Sequence, residues 1–177
     1  MRIKLFVAII FGSMLGHQAL AADGTIMPKF SDYPTAIYTG SLHIPSYYIK
    51  SGDVWRDDMD KEVSPPHINF AGKYYVGLHS CGTECRYYTL SDLAAGSESS
   101  ALDIFSSDGS EPKKTSDEHN HVTELISKPD SLMVIAQYHI DHYLNIPPQC
   151  RERMFLLSKD GKKVSPISGI FNTCNTP

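Results

Sequence analysis

The sequence predicts a mainly β protein: a single antiparallel β domain, arranged as a sandwich or a meander, with at most one or two short helices and stabilising disulfides. Short segments with alternating apolar and polar residues recur between clusters of turn residues. No stretch of a dozen residues shows the periodicity of an amphipathic helix. These two observations favour packed antiparallel strands over helical layers.

The strongest strand signal is a hairpin in the middle of the chain. Residues 74–79 (YYVGLH) alternate as a strand does, and residues 87–90 (YYTL) are aromatic and β-branched. Between them, residues 81–85 (CGTEC) are of the turn type, and residues 92–96 (DLAAG) form a second turn. Two strands joined by a short glycine-containing loop predict a β-hairpin.

The segments before the hairpin carry weaker signals. Residues 30–50 favour short strands or extended chain, because Pro34 and Pro45 would break a helix. Residues 52–62 (GDVWRDDMDKE) are acidic and fit a loop or a short helix.

After the hairpin, residues 101–105 are predicted as a short strand and residues 106–121 as a long surface loop. Further strands are expected at residues 122–126 and 131–138, followed by a loop at 139–149. A second hairpin is expected over residues 154–157 and 163–167, with Asp160-Gly161 as its turn.

The first 21 residues have the three parts of a signal peptide. Arg2 and Lys4 are basic, residues 5–15 are apolar, and residues 19–21 (ALA) form a cleavage site. We therefore expect a periplasmic domain spanning residues 22–177, with Ala22 as its first residue and no membrane anchor. Cleavage would take Arg2 and Lys4 from the sixteen basic residues, leaving fourteen against twenty acidic ones and a net charge of −6. That charge disfavours nucleic acid as a partner and suits a basic protein.

All four cysteines follow the cleavage site, and an even number in an exported chain predicts two disulfides. Three pairings are possible. We predict Cys81–Cys85, which would bridge the two hairpin strands, and Cys150–Cys174, which would tie down the C-terminal tail.

The central motifs resemble a known family. NFAGKY at residues 69–74, CGTEC at 81–85 and DLAAG at 92–96 match the NFAG-x-Y, CG-x-x-C and D-x-x-x-G pattern of a group of small exported bacterial proteins. The resemblance covers about the last two-thirds of the mature chain and implies an exported β-rich domain. The chain departs from the pattern in its polar insert at 106–121 and in Cys150 and Cys174. In overall plan it is similar to periplasmic lysozyme inhibitors and to immunity proteins against cell-wall effectors.

The sequence favours three kinds of chemistry less than binding, and no cofactor is expected. A zinc site could use His79, Cys81 and Cys85, with further histidines at 119, 121, 139 and 142, but only one Cys-x₃-Cys occurs and an oxidising compartment favours a disulfide. A thiol-redox centre needs the shorter Cys-x-x-Cys spacing. A hydrolase motif of the G-x-S-x-G or H-E-x-x-H type is absent from the sequence.

A binding surface is the remaining candidate. Trp55 and Tyr88 are predicted as aromatic anchors, although Trp55 is also typical of a core residue. Asp57 and Asp58 are predicted to steer a basic partner. We therefore expect a periplasmic inhibitor, for instance an immunity protein, that occludes the active site of a cell-wall-degrading enzyme or toxin. The alternatives are a small periplasmic hydrolase or metal-dependent enzyme that uses His139 and His142, and a structural component of the envelope.

Overall fold

The fold is known from a computed structural model, which describes residues 27–82, 85–107, 113–142 and 147–175. The predicted signal peptide lies outside the described residues, as do Thr83 and Glu84 of the hairpin loop and residues 108–112 of the polar insert.

The described chain is mainly β, as the sequence predicts. Its ten strands are β1 Ile49–Ser51, β2 Val54–Arg56, β3 Glu62–Val63, β4 Tyr74–Gly82, β5 Cys85–Asp92, β6 Ser97–Ser99, β7 His121–Ser127, β8 Met133–Ile140, β9 Gln149–Leu157 and β10 Val164–Pro166. Single 3₁₀ turns at Phe30–Asp32 and Asp103–Phe105 are the helical elements in the described part of the chain. Neither is long and apolar enough to cross a membrane.

The strands form three antiparallel sheets. The first has the order β1-β2-β3, the second β4-β5-β6 and the third β10-β9-β8-β7. The central hairpin is β4 and β5, paired from Tyr74 opposite Asp92 to Gly82 opposite Cys85, with a bulge between Ser80 and Gly82. The second predicted hairpin is β9 and β10. Both hairpins are therefore confirmed.

The main core lies between the second and third sheets. Leu90 of β5 belongs to the same buried cluster as Val134 of β8 and Phe155 of β9. Val134 and Phe155 are paired neighbours in the third sheet, and Leu90 packs with them from the second sheet, which is how two sheets pack face to face in a sandwich.

The second sheet also carries a core on its other face. Tyr75 of β4 packs with Tyr48 and Leu93, and the half-buried Trp55 and Val63 of the first sheet cover this cluster. Because successive side chains on a strand point to opposite faces, Tyr74 belongs to the main core and Tyr75 to the second one. The first sheet is thereby fixed against the hairpin.

The family-like motif NFAGKY forms the turn that leads into β4. Ala71 and Gly72 both have positive φ, at 47° and 79°, and an added side chain at Gly72 would collide with the backbone carbonyl of Ala36. Asn69 then caps the strand: its Oδ1 accepts from the N–H of Val76 at 2.7 Å, and its Nδ2 donates to the carbonyl of Val76 at 3.0 Å.

The DLAAG motif forms the turn after β5. The Asp92 carboxylate accepts from the N–H groups of Ala94 and Ala95, both at 3.0 Å, and from Lys73 Nζ at 2.6 Å. Gly96 has the positive φ, 69°, that closes the turn. The NFAGKY and DLAAG motifs thus lie side by side at the open end of the hairpin, where β4 begins and β5 ends.

Two local predictions were wrong. Residues 101–105 are not a strand but a 3₁₀ turn, in which residues three apart lie on the same side. Leu102 and Phe105 therefore both pack into the main core. Residues 52–62 are neither a loop alone nor a helix but β2 and β3 around a tight turn. Both segments are too short for their periodicity to separate strand from turn.

The predicted disulfides are confirmed. Cys81 pairs with Cys85 at a Cα–Cα distance of 5.1 Å, and Cys150 pairs with Cys174 at 5.4 Å. Both distances lie within the range that a disulfide spans. Two disulfides are typical of a protein that folds in an oxidising compartment.

The two disulfides should differ in their effect on stability. Cys150 and Cys174 are 24 residues apart and Cys81 and Cys85 only four, and the entropy removed from the unfolded chain grows with loop length. Replacing both members of the long-range pair by serine should lower the free energy of unfolding by about 3 kcal/mol, and the same change in the hairpin pair by about 2 kcal/mol. Urea unfolding without reductant measures both. An equal or larger loss from the hairpin pair would contradict the loop-length account.

Candidate functional site

The candidate site is built on a buried hydrogen bond between β4 and the turn that follows β2. His79 of β4 places Nδ1 2.9 Å from Oδ2 of Asp57, and both side chains are almost fully buried, 1% and 0% exposed. Period-2 alternation sends His79 to the same face as Tyr75 and Gly77, toward the first sheet. We call this pair the Asp57–His79 clasp.

The carboxylate of Asp57 also organises its own turn. Its Oδ1 accepts from the N–H of Met59 at 3.0 Å and from the N–H of Lys61 at 2.9 Å. Burial disfavours the charged carboxylate, but the hydrogen bonds from His79, Lys61 and Met59 outweigh it and hold the pKa of Asp57 below its ordinary value. Asp57 is therefore ionised at neutral pH, and both of its oxygens are engaged.

The other nitrogen of His79 meets two hydroxyl groups. Nε2 lies 3.1 Å from the Tyr48 hydroxyl and 3.1 Å from Thr89 Oγ1, and the two hydroxyls are 3.2 Å apart. In the tautomer that donates from Nδ1 to Asp57, Nε2 is free to accept from one of these hydroxyls. Burial raises the pKa of Tyr48 far above its ordinary value, so its phenol stays protonated.

Gly77 makes room for this network. A Cβ built on Gly77 would collide with the Tyr48 hydroxyl and would also press on Thr89 Oγ1 and His79 Nε2. A side chain at this position would therefore displace the hydroxyl that occupies the space. The ring of Tyr87 adds to the packing by stacking on His79, with centroids 4.6 Å apart and planes 8° apart.

The contacts Asp57–His79–Thr89 follow the order carboxylate, imidazole, hydroxyl of a hydrolytic triad. Catalysis would require Thr89 Oγ1 to reach a substrate while Nε2 takes its proton. Here the imidazole is covered, and the Tyr48 hydroxyl competes for the same nitrogen. We interpret the arrangement as a structural clasp that attaches the turn of residues 57–62, which we call the acidic turn, to β4.

A groove lies directly beside the clasp, between the turn after β2 and the outer end of β4. Its volume is about 530 Å³. We call it the edge groove. It is lined by Asp57, Met59, Lys61, Glu62, Val63, Leu78, Ser80, Cys81 and Gly82. Leu78 and Met59 are exposed apolar side chains in this lining, 48% and 36%. An apolar floor with charged residues around it suits a protein ligand.

The structure separates the four predicted binding residues. Asp58 is exposed beside the edge groove, whereas Asp57 is buried in the clasp and cannot steer a partner. Trp55 is half-buried against the second core.

Tyr88 is a correction to the predicted binding surface. It lies in the main core, and its hydroxyl donates to the carbonyl of Thr123 at 2.8 Å. Even-numbered residues of β5 face the third sheet, so Tyr88 is not available as an exposed anchor.

The cysteines and histidines predicted as possible metal or acid–base groups do not form one cluster with free thiols in the described residues. Cys81 and Cys85 are bonded to each other, His139 lies 3.2 Å from Glu124, and His142 is exposed beyond the end of β8. Within the described residues, the group that comes close enough to share a cation is Asp57, Asp58 and His79, with ligand atoms within 4.8 Å of one another. Two of its three members already satisfy each other in the clasp.

Sequence reasoning missed His79 as the centre of the site. The available signal was its place in the strand pattern: a histidine at an inward-facing position, two residues after a glycine. The partners Asp57, Tyr48 and Thr89 come from other strands or loops, so no local spacing reveals them.

No protein-family model, no curated protein and no solved structure matches this chain. The family resemblance of the central motifs therefore stays a prediction, and function has to be inferred from the clasp and the edge groove.

Because Asp57 is buried and ionised in the clasp, we expect the free energy of unfolding to depend on pH. The lowered pKa of Asp57 means that its stabilising effect is present above the unfolded-state value of about 3.9 and is lost as pH falls through the folded-state pKa. Asp57→Asn should lower the free energy of unfolding at pH 7 by about 1–3 kcal/mol. The difference in the free energy of unfolding between Asp57→Asn and the unaltered protein should become smaller below about pH 4.

Urea unfolding between pH 2 and pH 7 measures this difference. Asp130→Asn is the matched control: Asp130 is exposed and remote from the clasp, so its change should stay within about 0.5 kcal/mol. A difference for Asp57→Asn that stays constant across the whole pH range would contradict an ionised, buried Asp57.

Proposed function

We propose that this protein is an exported binding protein that inhibits a basic partner enzyme through the edge groove. The observation that carries the proposal is the pairing of an exposed apolar strand end with an acidic turn that the clasp holds in place. A cell-wall-degrading enzyme or toxin of the periplasm is the partner we infer, as the sequence predicts.

The walls of the edge groove are held from two sides. The Cys81–Cys85 disulfide closes the tip of the β4–β5 hairpin, and the clasp attaches the turn of Asp57 to the same hairpin. A surface that is fixed before binding loses little conformational entropy on association. This favours an inhibitor that presents a preformed surface.

The charge around the groove favours a basic partner. The turn from residue 57 to residue 62 contains four carboxylates and one lysine; Asp57 is buried in the clasp, and Asp60 lies 3.5 Å from Arg56. Asp58, Asp60 and Glu62 are exposed. The mature chain as a whole would carry a net charge of −6. Complementary charge raises the association rate and disfavours acidic partners.

The compartment is supported by two independent features. Both disulfides are formed in the structure, and the first 21 residues have the pattern of a signal peptide. An enzyme of the cell wall would be met in that compartment.

The alternative, a hydrolase that uses His139 and His142, has one carboxylate–imidazole contact among the described residues, and the two side chains in that contact are 43% and 55% exposed and do not line the edge groove. His139 is paired with Glu124, and His142 lies past the end of its strand.

Capture and inhibition test the proposal together. Immobilised mature protein, residues 22–177, should retain a basic exported enzyme from periplasmic extract, and the purified enzyme should lose activity in proportion to the inhibitor added. The proposal fails if no exported enzyme is captured and inhibited. It also fails if the protein itself turns over a substrate and loses that activity on His139→Ala or His142→Ala.

Electrostatic steering gives a kinetic prediction for the captured enzyme. Asp58→Asn with Asp60→Asn should slow association by about threefold or more at low ionic strength and leave dissociation nearly unchanged, because these exposed charges act before contact. Stopped-flow binding at several salt concentrations measures both rates.

The matched control is Asp103→Asn with Asp130→Asn, which changes net charge equally at exposed sites that do not line the groove. An equal slowing in the control would show that net charge alone, and not the acidic turn, steers the partner.

A further inference from the structure

We propose that the edge groove binds an extended peptide segment of the partner, which adds as a further strand to the open half of β4. This inference rests on the proposed function and names the chemistry of the partner segment: alternating apolar and basic residues in a β conformation.

The first step is the direction of the backbone groups on β4. The N–H of Leu93 donates to the carbonyl of Lys73 at 2.9 Å, so residues 73 and 93 form a hydrogen-bonded pair. Hydrogen-bonded and non-hydrogen-bonded pairs alternate along an antiparallel ladder. Residues 75, 77 and 79 therefore bond to β5, whereas the backbone groups of residues 74, 76, 78 and 80 point away from it.

The second step is that only part of this outward edge is closed. The N–H of Tyr74 donates to the carbonyl of Phe70 at 2.9 Å, and Asn69 binds both backbone groups of Val76. Beyond Val76, no described residue offers a hydrogen bond to the outward N–H and carbonyl of Leu78 or to the outward N–H of Ser80. Three backbone groups are thus open on an exposed strand.

The third step is the position of the edge groove. Its lining includes Leu78 and Ser80 on one side and Glu62 on the other. The N–H of Asp57 donates to the carbonyl of Lys61 at 2.9 Å, so the same alternation points the backbone groups of Glu62 away from β2. The groove therefore runs between the outer edges of two strands, β3 and β4.

Open edges of this kind pair readily with another extended chain, and natural proteins usually cover them. Asn69 covers the first half of the β4 edge by imitating a neighbouring strand. The second half is left open where the apolar side chains of Leu78 and Met59 are exposed. Strand addition uses this combination: main-chain hydrogen bonds supply affinity, and flanking side chains supply specificity.

Charge decides which chain occupies the groove. A second copy of this protein would bring a second acidic turn against the first, and like charges across an interface disfavour association. Glu62 lines the groove with Lys61, and the exposed Asp58 and Asp60 of the same turn leave the turn with a net negative charge. A segment with lysine or arginine at alternate positions is attracted by that charge, while its apolar residues would pack on Leu78 and Met59. The occupant is therefore a basic extended segment of another protein.

A synthetic peptide tests this directly. The probe is acetyl-Lys-Val-Lys-Val-Lys-Val-Lys-amide, titrated into isotope-labelled mature protein with both disulfides formed. We expect the amide signals of Leu78 and Ser80 to shift and their hydrogen exchange to slow. The same peptide with glutamate in place of lysine should bind at least tenfold more weakly.

Ser80→Pro removes the open N–H at a strand edge, where proline is tolerated. It should weaken binding of the lysine peptide at least tenfold, whereas Ser80→Ala, which keeps the N–H, should bind as the unaltered protein does. If Ser80→Pro does not fold by circular dichroism, amide exchange at Leu78 and Ser80 in the unaltered protein decides.

The inference is overturned if the lysine peptide at millimolar concentration leaves those two amides unchanged, or if a folded Ser80→Pro binds it equally well. It is also overturned if sedimentation shows a dimer that protects the same amides without peptide, since the occupant is then a second copy. Peptide binding without capture of an exported enzyme would contradict the proposed function alone, and inhibition of an enzyme without peptide binding would contradict strand addition alone.

Discussion

The buried pair of Asp57 and His79 is the interaction on which the rest of this structure depends. Burying a carboxylate and an imidazole is unfavourable unless their hydrogen-bonding groups are satisfied. Here one oxygen of Asp57 binds His79 and the other binds two backbone N–H groups, while Nε2 of His79 meets two hydroxyls. Removing either partner would leave the other group buried without its complement. The pair therefore fixes the acidic turn in one position relative to β4.

This constraint explains why the central hairpin has a core on both faces. Its even-numbered residues pack against the third sheet, and its odd-numbered residues hold the first sheet through Tyr75 and the clasp. Gly77 leaves the space that the Tyr48 hydroxyl fills. The result is a groove with one wall on the turn and the other on β4. Asn69 covers the β4 edge only as far as Val76, so the edge stays open where the groove begins. The proposed binding site is therefore the part of the β4 edge that Asn69 does not cover.

The sequence predicted the fold class, both hairpins and both disulfides because each depends on local pattern: alternation, turn residues and cysteine spacing. It failed at residues 101–105, where five residues fit a strand and a 3₁₀ turn equally well and tertiary packing decides. It also assigned Tyr88 and Asp57 to the surface. Nothing local distinguishes Tyr88, on the core face of β5, from the partly exposed Tyr87 beside it. Asp57 looks like one of several carboxylates in an acidic turn, and its partner His79 lies 22 residues away on another sheet. Contacts between layers depend on the packing of whole sheets, which a single sequence does not display.

The most direct test of the clasp is hydrogen exchange in Gly77→Ala, with Gly169→Ala as the control. An added methyl group at Gly77 pushes on the Tyr48 hydroxyl and His79, whereas nothing lies within 4 Å of a Cβ at Gly169. Neither change touches Asp57 or its turn. If the clasp holds the acidic turn, the amides of Met59 and Lys61, which bind Asp57 Oδ1, should exchange faster in Gly77→Ala and at the unaltered rate in Gly169→Ala. Unchanged exchange of both amides in a folded Gly77→Ala protein would contradict the claim that the clasp positions the turn.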